Sequence, residues 1–582
     1  MSVRAVGFRA FFVSSQKGGY SMKKSGKKLC ALALAAAMLG LTACGSSSGT
    51  KDTTTAAAGG AAATEETTAA AAVAEGESVS QDTDIIGAVN VDFTTLDPLD
   101  TSDTLSGGVQ RLIMDGLFGF DDEMKIIPML AAEYTANDSA TEFTIKLREG
   151  ITFSDGTPWN AEAAKANFDR WADKSLGLKR TTLLCNILDT TTVQDDYTIV
   201  VKLSSPFGAF IETLAHPACV IMSPRVIEQG SQACAQAPIG TGQYTFKEWI
   251  QGDHLTVELN KDWWGYDADI CGGTPLADKD AGFKSITLKP VPESATRVAM
   301  IQSGDAQLIW PVPDENLAGL KSDPNVIVGQ DQGLVVRYLM MNNQKKPFND
   351  KKVRQAINYA INKDAYVAVV KNGNSQPGTS VIAPKLQYYK GNDPYPYDIE
   401  KAKSLLAEAG YPDGFKTTLI FANTSANMKQ GEFLKQQLAE VGIDVELISL
   451  ESAIVNEKIQ DTDAPGAEAE VDMYIIGWSS STGDADWGIR PLLAKESEPP
   501  MSYNICYFEN DELDGYLKDG LNTADRDKRA EAYAKAQDLI WEESPLVCLA
   551  TDFNSWATSN KMVNVKMFPD NCLNIRNGKM TK

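Results

Sequence analysis

The alternation of hydrophobic and polar residues predicts strands and helices that follow one another along the chain. Residues 85–89 and 472–478 have the continuous apolar pattern of buried strands, and 143–147 alternates with period two, as a strand exposed on one face does. Apolar residues recur with helical spacing across 353–360. Asn160 follows turn residues and is placed to cap a further helix. Strands mixed with helices over this length indicate an α/β fold.

The N-terminal segment has the charge and hydropathy pattern of an export signal. Residues 1–43 contain seven Lys or Arg and no Asp or Glu, and a basic stretch, 22–28, precedes an apolar run, 29–41. That run is shorter than the about 20 residues that cross a bilayer comfortably. We interpret 1–43 as a signal peptide and 1–21 as an upstream start artefact, with Met22 the better initiator.

The sequence after this run predicts a lipid anchor and a flexible tether. Leu41-Thr42-Ala43-Cys44 resembles a bacterial lipobox, which implies cleavage before Cys44 and acylation of its thiol. The alternative is an ordinary signal peptide with a chance cysteine. Residues 44–81 are nearly all small or polar and cannot bury enough apolar surface to order themselves. We therefore expect a disordered linker that holds the protein at the outer face of the cytoplasmic membrane.

The acidic composition excludes some classes of partner. The chain has 77 Asp and Glu against 54 Lys and Arg, a formal net charge of −23, and seven of the bases lie in the signal. Nucleic acid binding requires a basic surface, so we expect no nucleic acid partner. The length after the tether predicts two or more domains.

Neither the cysteines nor the histidines form a motif for metal binding or catalysis. No CxxC pair or Cys/His ligand spacing occurs, so we predict no metal and no cofactor. Export permits disulfides, and Cys219–Cys234 is the best candidate pair. The chain has only two histidines, His216 and His254, and lacks nucleophile-elbow and zinc-protease motifs. Paired carboxylates for glycoside hydrolysis remain open, because their spacing is spatial.

Five sequence blocks resemble, in order, those of solute-binding protein family 5, the dipeptide, oligopeptide and nickel-chelate binders. They cover 127–133, 143–159, 238–244, 342–360 and 397–415. In the third block, Gln243 replaces the more common proline.

The resemblance implies an α/β fold of the type II periplasmic-binding-protein class, with two lobes that close over a solute and an inserted subdomain. Lobe I would comprise 82–116, 237–320 and 546–582, the inserted subdomain 117–236, and lobe II 321–545. The implied function is the extracytoplasmic solute-binding subunit of an ABC importer, a monomer that captures a peptide-like or other small polar solute. Its partners would be the permease and ATPase subunits, and it would not be an enzyme. The alternative is a surface-anchored hydrolase of extracellular polymer.

The resemblance also places a solute-binding loop after the strand that ends at Trp478. Peptide-binding members carry an Asp three residues after this tryptophan, where the present chain has Ser481. Asp484 and Asp486 follow in the same loop, and Asp484 could replace the missing acid only if the loop folds back. The departure makes recognition of a free peptide amine doubtful. Trp478 could instead be a core residue.

Three further residues are predicted to bind the solute. Asp103 lies after the first strand, where the family runs its backbone past the ligand. Arg337 lies on an alternating strand and could hold a carboxylate with two hydrogen bonds, or else form an ion pair. Trp310 ends a short apolar strand beside Pro311, and its alternative role is packing at the hinge between the lobes.

Overall fold

The computed structural model describes residues 80–101 and 103–582, so the predicted signal, Cys44 and almost all of the tether lie outside the described part. Strands and helices are interleaved throughout it, which confirms the predicted α/β class. The α-helices are α1 Thr104–Ile113, α2 Ala161–Ala172, α3 Phe210–Leu214, α4 Pro224–Glu228, α5 Ser231–Gln236, α6 Ala268–Cys271, α7 Ser294–Ser303, α8 Leu317–Lys321, α9 Lys351–Ala360, α10 Lys363–Val370, α11 Ile399–Glu408, α12 Ser425–Ala439, α13 Ser452–Ile459, α14 Ala485–Leu493, α15 Asp511–Leu521 and α16 Arg526–Glu543.

The strands divide between one large sheet and several small ones. They are β1 Asp84–Val89, β2 Phe118–Phe120, β3 Ile126–Pro128, β4 Ala131–Ala136, β5 Glu142–Leu147, β6 Leu188–Asp195, β7 Thr198–Leu203, β8 Tyr244–Ile250, β9 His254–Leu259, β10 Ser285–Pro290, β11 Leu308–Trp310, β12 Val326–Met341, β13 Ser375–Pro377, β14 Lys416–Ala422, β15 Asp444–Leu450, β16 Met473–Ser479, β17 Leu546–Ser559, β18 Met562–Val563, β19 Lys566–Met567, β20 Leu573–Asn574 and β21 Lys579–Met580.

The large sheet joins the N-terminal and C-terminal halves of the chain. Its order is β15-β14-β16-β12-β17-β11-β1-β10-β9-β8, with β13 paired to β17. The strands β14–β16 form one end and β1 with β8–β11 the other, and the long antiparallel pair β12 and β17 belongs to both. The two ends of the sheet correspond to the two predicted lobes, whose residue boundaries stay a prediction.

The pairing of β12 with β17 is interrupted near its middle. Val326 to Gln332 pair with residues 553–559, pairing resumes only at Val336 with Thr551, and a second shift follows Arg337. The first part of β12 runs beside the end that contains β11, and the second part pairs with β16. The interruption therefore lies where the chain passes from one half of the sheet to the other.

Local sequence explains where several elements begin. Asn160 caps α2 as predicted, because its side chain accepts a hydrogen bond from the amide of Ala163 at 3.0 Å. The predicted helix over 353–360 is α9, which Asp350 caps by accepting from the amide of Lys352. In β5 the buried side chains of Phe143, Ile145 and Leu147 alternate with more exposed ones, as period two requires.

The insertion between β1 and β8 carries its own antiparallel sheet, β4-β5-β7-β6. Its buried side chains belong to a hydrophobic cluster that continues through β12, α14 and α16. A second cluster underlies β1, β9 and β10, and a third fills the space between β14–β16 and helices α9–α12. The insertion therefore packs against the C-terminal half of the chain as well as the N-terminal half.

The structure corrects the predicted disulfide. Cys219 and Cys234 are both free, as are the other described cysteines. Cys219 lies in the cluster that contains the inserted sheet, whereas Cys234 lies in the cluster under β1. Burial raises the pKa of the Cys219 thiol, as expected for a small apolar core residue. Among residues 80–101 and 103–582, no helix is both long and apolar enough to span a bilayer.

Candidate functional site

Four separated parts of the chain meet at a small polar cavity, which we call the central cavity. Its walls include Asp103 and Gln110 from the region of α1, Arg180 and His216 from the insertion, Ser481 from the loop after β16, and Asp570 near the C-terminus. About 50 Å³ inside it is accessible to the centre of a water molecule, which is room for a few waters. A larger solute can enter only if the walls move apart.

His216 joins two of these walls. Its Nδ1 accepts a hydrogen bond from the amide of Ala218 at 3.0 Å, so the ring proton is on Nε2. Nε2 lies 3.0 Å from Oγ of Ser481 and therefore donates to it. Burial, followed by the positive charges of Arg180 and Arg111, lowers the pKa of His216 well below its usual value. His216 is therefore a neutral donor that holds the Ser481 loop against the insertion.

Asp103 lies in the cavity wall, as the sequence predicted for a solute-binding residue. It caps α1, since one carboxylate oxygen accepts from the amide of Ser106 at 2.8 Å and the other from the hydroxyl of Thr94 at 2.7 Å. These bonds fix the orientation of the carboxylate and leave it further acceptor capacity. Its role towards a solute stays a proposal.

Arg180 brings a positive charge to the same cavity. Its Nε donates to the carbonyl of Thr101 at 3.0 Å, which orients the guanidinium next to the entry of α1. Burial lowers the pKa of Arg180, but an arginine in a protein keeps its proton. Behind it, Arg111 forms an ion pair with Asp570 at 2.8 Å.

The sequence analysis missed Arg180 altogether and considered His216 only as a catalyst. Neither residue lies in a motif that sets it apart. Each becomes a site residue because the insertion folds back onto α1 and onto a loop more than 260 residues later. The sequence carries no local signal for that contact.

Trp478 packs beside the cavity and does not line it. Its indole nitrogen donates to the carbonyl of Trp487 at 2.8 Å, and its ring centroid lies 5.0 Å from that of Tyr503. Tyr503 in turn lies close enough to Arg180 to affect its pKa. Trp478 thus supports the Ser481 loop from behind, and direct contact with a solute stays a prediction.

Arginines hold Asp484 and Asp486 inside the protein. Asp484 is fully buried and accepts from Nη2 of Arg529 at 2.8 Å. Asp486 accepts from both Nε and Nη2 of Arg490 at 2.9 Å. Neither carboxylate lines the central cavity, and contact of either with a solute stays a prediction.

Arg337 and Trp310 also lie away from the cavity. Nη2 of Arg337 lies 2.6 Å from Asp552, so the guanidinium takes the ion-pair role that was left open in the sequence analysis. Lys371 approaches the other oxygen of Asp552 at 3.1 Å. Trp310 is buried in the cluster under β1, where its ring packs close to Gly87. Both residues make structural contacts, and contact of either with a solute stays a prediction.

The central cavity is lined by polar side chains that hydrogen bonds hold in place. No group of three or more His, Cys, Asp or Glu side chains in the described part of the chain could hold a metal ion. The polar groups at the central cavity are hydrogen-bond donors and acceptors with fixed orientations. Such an arrangement can recognise a polar solute of defined charge pattern.

Comparison with known proteins identifies relatives along most of the chain. Residues 125–499 match the family model described as bacterial extracellular solute-binding proteins, family 5 middle. The glutathione-binding protein GsiB of Escherichia coli is 40% identical over 489 residues, which is 84% of this chain and 92% of the relative.

Solved structures show the same fold. HbpA2 from Haemophilus parasuis superposes with a TM-score of 0.75 at 24% identity, covering 86% of this chain and 100% of that one. The periplasmic binding protein DppA from Helicobacter pylori, in complex with the peptide STSA, gives a TM-score of 0.68 at 27% identity, covering 86% and 98%. These neighbours confirm the predicted two-lobed fold of the type II periplasmic-binding-protein class.

Proposed function

The chain belongs to the bacterial extracellular solute-binding proteins of family 5, and from this premise we propose that its solute is a short zwitterionic peptide of the glutathione type. The protein is the solute-binding component of an ABC importer and works with permease and ATPase subunits. Its relatives are binding proteins, which gives no support to the hydrolase alternative. We propose that it releases its solute chemically unchanged.

The observation that carries this proposal is the presence of opposite charges in one cavity. Arg180 and Asp103 both line the central cavity. The neutral donor His216, which belongs to the insertion, faces Ser481 across it. A guanidinium recognises a carboxylate, and an aspartate recognises an ammonium group, so a zwitterion satisfies both. The 40% identity to a protein named as glutathione-binding supports the same class of solute.

Calorimetric titration with reduced glutathione tests the proposal. Matched titrations use a dipeptide, a tetrapeptide and a nickel–histidine chelate. We expect glutathione to bind most tightly, and Arg180→Ala to weaken its binding at least tenfold because the carboxylate loses its guanidinium. Arg225→Ala removes an exposed arginine outside the cavity and should leave the dissociation constant unchanged. If glutathione gives no binding signal while another solute class does, the proposed solute is wrong.

We further propose that the protein is a monomer tethered to the membrane by a lipid on Cys44. The support is the lipobox-like Leu41-Thr42-Ala43-Cys44 and the polar segment after it. Fractionation of cells that express Cys44→Ser should move the protein from the membrane to the soluble fraction. The wild-type protein should release an acylated N-terminal peptide for mass spectrometry. Equal fractionation of both forms would contradict the anchor.

A further inference from the structure

Gln110 is a buried glutamine whose amide orientation is fixed. Its side chain is fully shielded from solvent in α1 and lies in the wall of the central cavity. The carbonyl of Thr95 can only accept, and it lies 3.2 Å from the amide nitrogen of Gln110, so the nitrogen must face it. The same nitrogen donates to the hydroxyl of Thr101.

The amide oxygen of Gln110 has no hydrogen-bond donor among the described residues. A buried acceptor without a donor destabilises the fold, because it has lost its hydrogen bonds to water and gained none in return. Such a group is rare in a folded protein and calls for an explanation. A donor brought by the solute would satisfy it. The carboxylate of Asp103, which lines the same cavity, favours a donor that carries positive charge.

The wall formed by the insertion has the opposite character. His216 presents an Nε2–H group whose position is fixed by the bond from Ala218 to Nδ1. In the closed structure the partner of this donor is the hydroxyl of Ser481, a weak acceptor that can be displaced. Arg180, also of the insertion, adds a guanidinium to the cavity, where the carbonyl of Thr101 orients it. The insertion therefore brings donors and positive charge to the cavity.

We infer that Gln110 and His216 set the orientation of the bound solute. The ammonium group lies at the amide oxygen of Gln110 and the carboxylate of Asp103, and the distal carboxylate lies at Nε2 of His216 and at Arg180. In glutathione these groups are the γ-glutamyl ammonium and the glycyl carboxylate. The inference rests on the proposed solute class and adds to it the residues that read each end.

The test compares glutathione with two derivatives, each blocked at one end. N-acetylglutathione lacks the ammonium group, and the glycyl ethyl ester lacks the distal carboxylate. We expect each block to weaken binding to the wild-type chain at least tenfold in isothermal titration. Gln110→Met should bind glutathione about tenfold more weakly than the wild type does. N-acetylation should then weaken binding to this variant less than threefold, because the acceptor for the ammonium group is gone.

His216→Asn is the matching variant at the other end. An asparagine at this position retains a side-chain oxygen that can accept from the amide of Ala218, but it lacks the Nε2 donor. Esterification of the glycyl carboxylate should therefore weaken binding to His216→Asn less than threefold. N-acetylation should still weaken binding to this variant at least tenfold. This crossed pattern would not arise from a purely structural defect.

Gln430→Met is the control for loss of a buried helical glutamine. Gln430 lies in α12, away from the cavity, and its amide oxygen accepts from the hydroxyl of Tyr366 at 2.7 Å. Each of the two blocks should weaken binding to Gln430→Met by the same factor as it weakens binding to the wild type. Circular dichroism confirms that each variant is folded, and the two wild-type titrations test the orientation even if a variant is not.

The outcomes separate the two proposals. If the wild type binds glutathione but tolerates both blocks, or if Gln110→Met keeps the full penalty for N-acetylation, the orientation is wrong and the solute class stands. If the wild type does not bind glutathione, the proposed solute is wrong and the assignment of its two ends falls with it.

Discussion

Arg529 donates from Nη2 to the carboxylate of Asp484 at 2.8 Å, and their side chains are only 1% and 0% exposed. Asp484 caps α14, and Arg529 lies on α16, so the pair ties the end of the Ser481 loop to the longest helix. Glu212 of the insertion lies 3.7 Å from the same guanidinium, which also packs over the rings of Tyr388 and Tyr533. One arginine therefore holds two buried carboxylates from different parts of the fold.

We predict that Arg529→Met lowers the free energy of unfolding by about 3–5 kcal/mol, because the buried carboxylate of Asp484 loses its cation and that of Glu212 keeps only Arg526, at 3.6 Å. Urea denaturation measures the effect. Lys535→Met removes an exposed ion pair with Glu531 on the same helix and should leave the urea midpoint close to that of the wild type. Similar losses for the two variants would contradict the prediction.

Lys363 gives the protein a pH-dependent stability. Its side chain is 5% exposed, its ammonium has no hydrogen-bond partner among the described residues, and it lies 5.6 Å from the ring of Tyr395 and 5.8 Å from that of Trp541. Burial lowers its pKa from 10.5 to about 8. The unfolded chain therefore binds more protons than the folded one between these two values, and stability rises with pH across that window.

We predict that Lys363→Met stabilises the protein at pH 7 by on the order of 2 kcal/mol, since it removes a charge from an apolar setting. The advantage should shrink between pH 8 and pH 10.5, where the folded wild type loses its proton. Chemical denaturation at a series of pH values measures it. A constant difference between variant and wild type over that range would show that the amine does not titrate as we expect.

Trp478 should contribute more to stability than to affinity, because its ring packs on Tyr503 and Trp487 and does not line the cavity. We expect Trp478→Ala to lower the free energy of unfolding by about 2–3 kcal/mol, less than for a fully buried aromatic ring, because the Trp478 side chain is only half-buried. The dissociation constant for glutathione should rise less than threefold. A tenfold loss of affinity with little loss of stability would instead indicate direct contact with the solute.

Asp552 should make the free energy of unfolding depend on pH in the acidic range. Burial alone would raise its pKa, but the cations of Arg337 and Lys371 hold the pKa below its usual value. The carboxylate therefore stabilises the fold above its unfolded pKa of 3.8, and this contribution is lost as the pH falls through the lower folded value.

We accordingly predict that Asp552→Asn destabilises the protein at pH 7. Its melting temperature should also fall less steeply than that of the wild type as the pH is lowered. The variant leaves Arg337 and Lys371 close together without their shared anion. Thermal melts between pH 2 and pH 7 measure the slope. Exposed Asp538→Asn serves as a control and should retain the wild-type slope.

Elements that depend on local pattern were predictable from the sequence. The predicted helix at 353–360 lies within α9, and the strand at 472–478 matches β16 to within a residue, because burial on one face imposes a period that the residues themselves record. The family blocks added the two-lobed fold. Asp103 was predicted from the path that the family's backbone takes after the first strand, and it lies in the wall of the central cavity, where its contact with a solute stays a prediction.

The rest of the site depends on contacts that local pattern does not encode. Asp484 looked available until the fold placed Arg529, 45 residues later, against it. His216 became a donor in the cavity only because the insertion meets Ser481, 265 residues away. Gln110 has the spacing of an ordinary buried helical residue, and its unsatisfied oxygen is visible only in three dimensions.

The interrupted pairing between Gln332 and Val336 is the place where we expect the main sheet to bend. Apart from the second shift after Arg337, the pairing of β12 with β17 is continuous on either side of the interruption, so we expect each half of the main sheet to rotate as a rigid unit while bending is confined to a few backbone torsions. We expect a small rotation at this interruption to increase the distance between Ser481 and His216 by several ångströms. Entry of a solute then needs neither wall to deform.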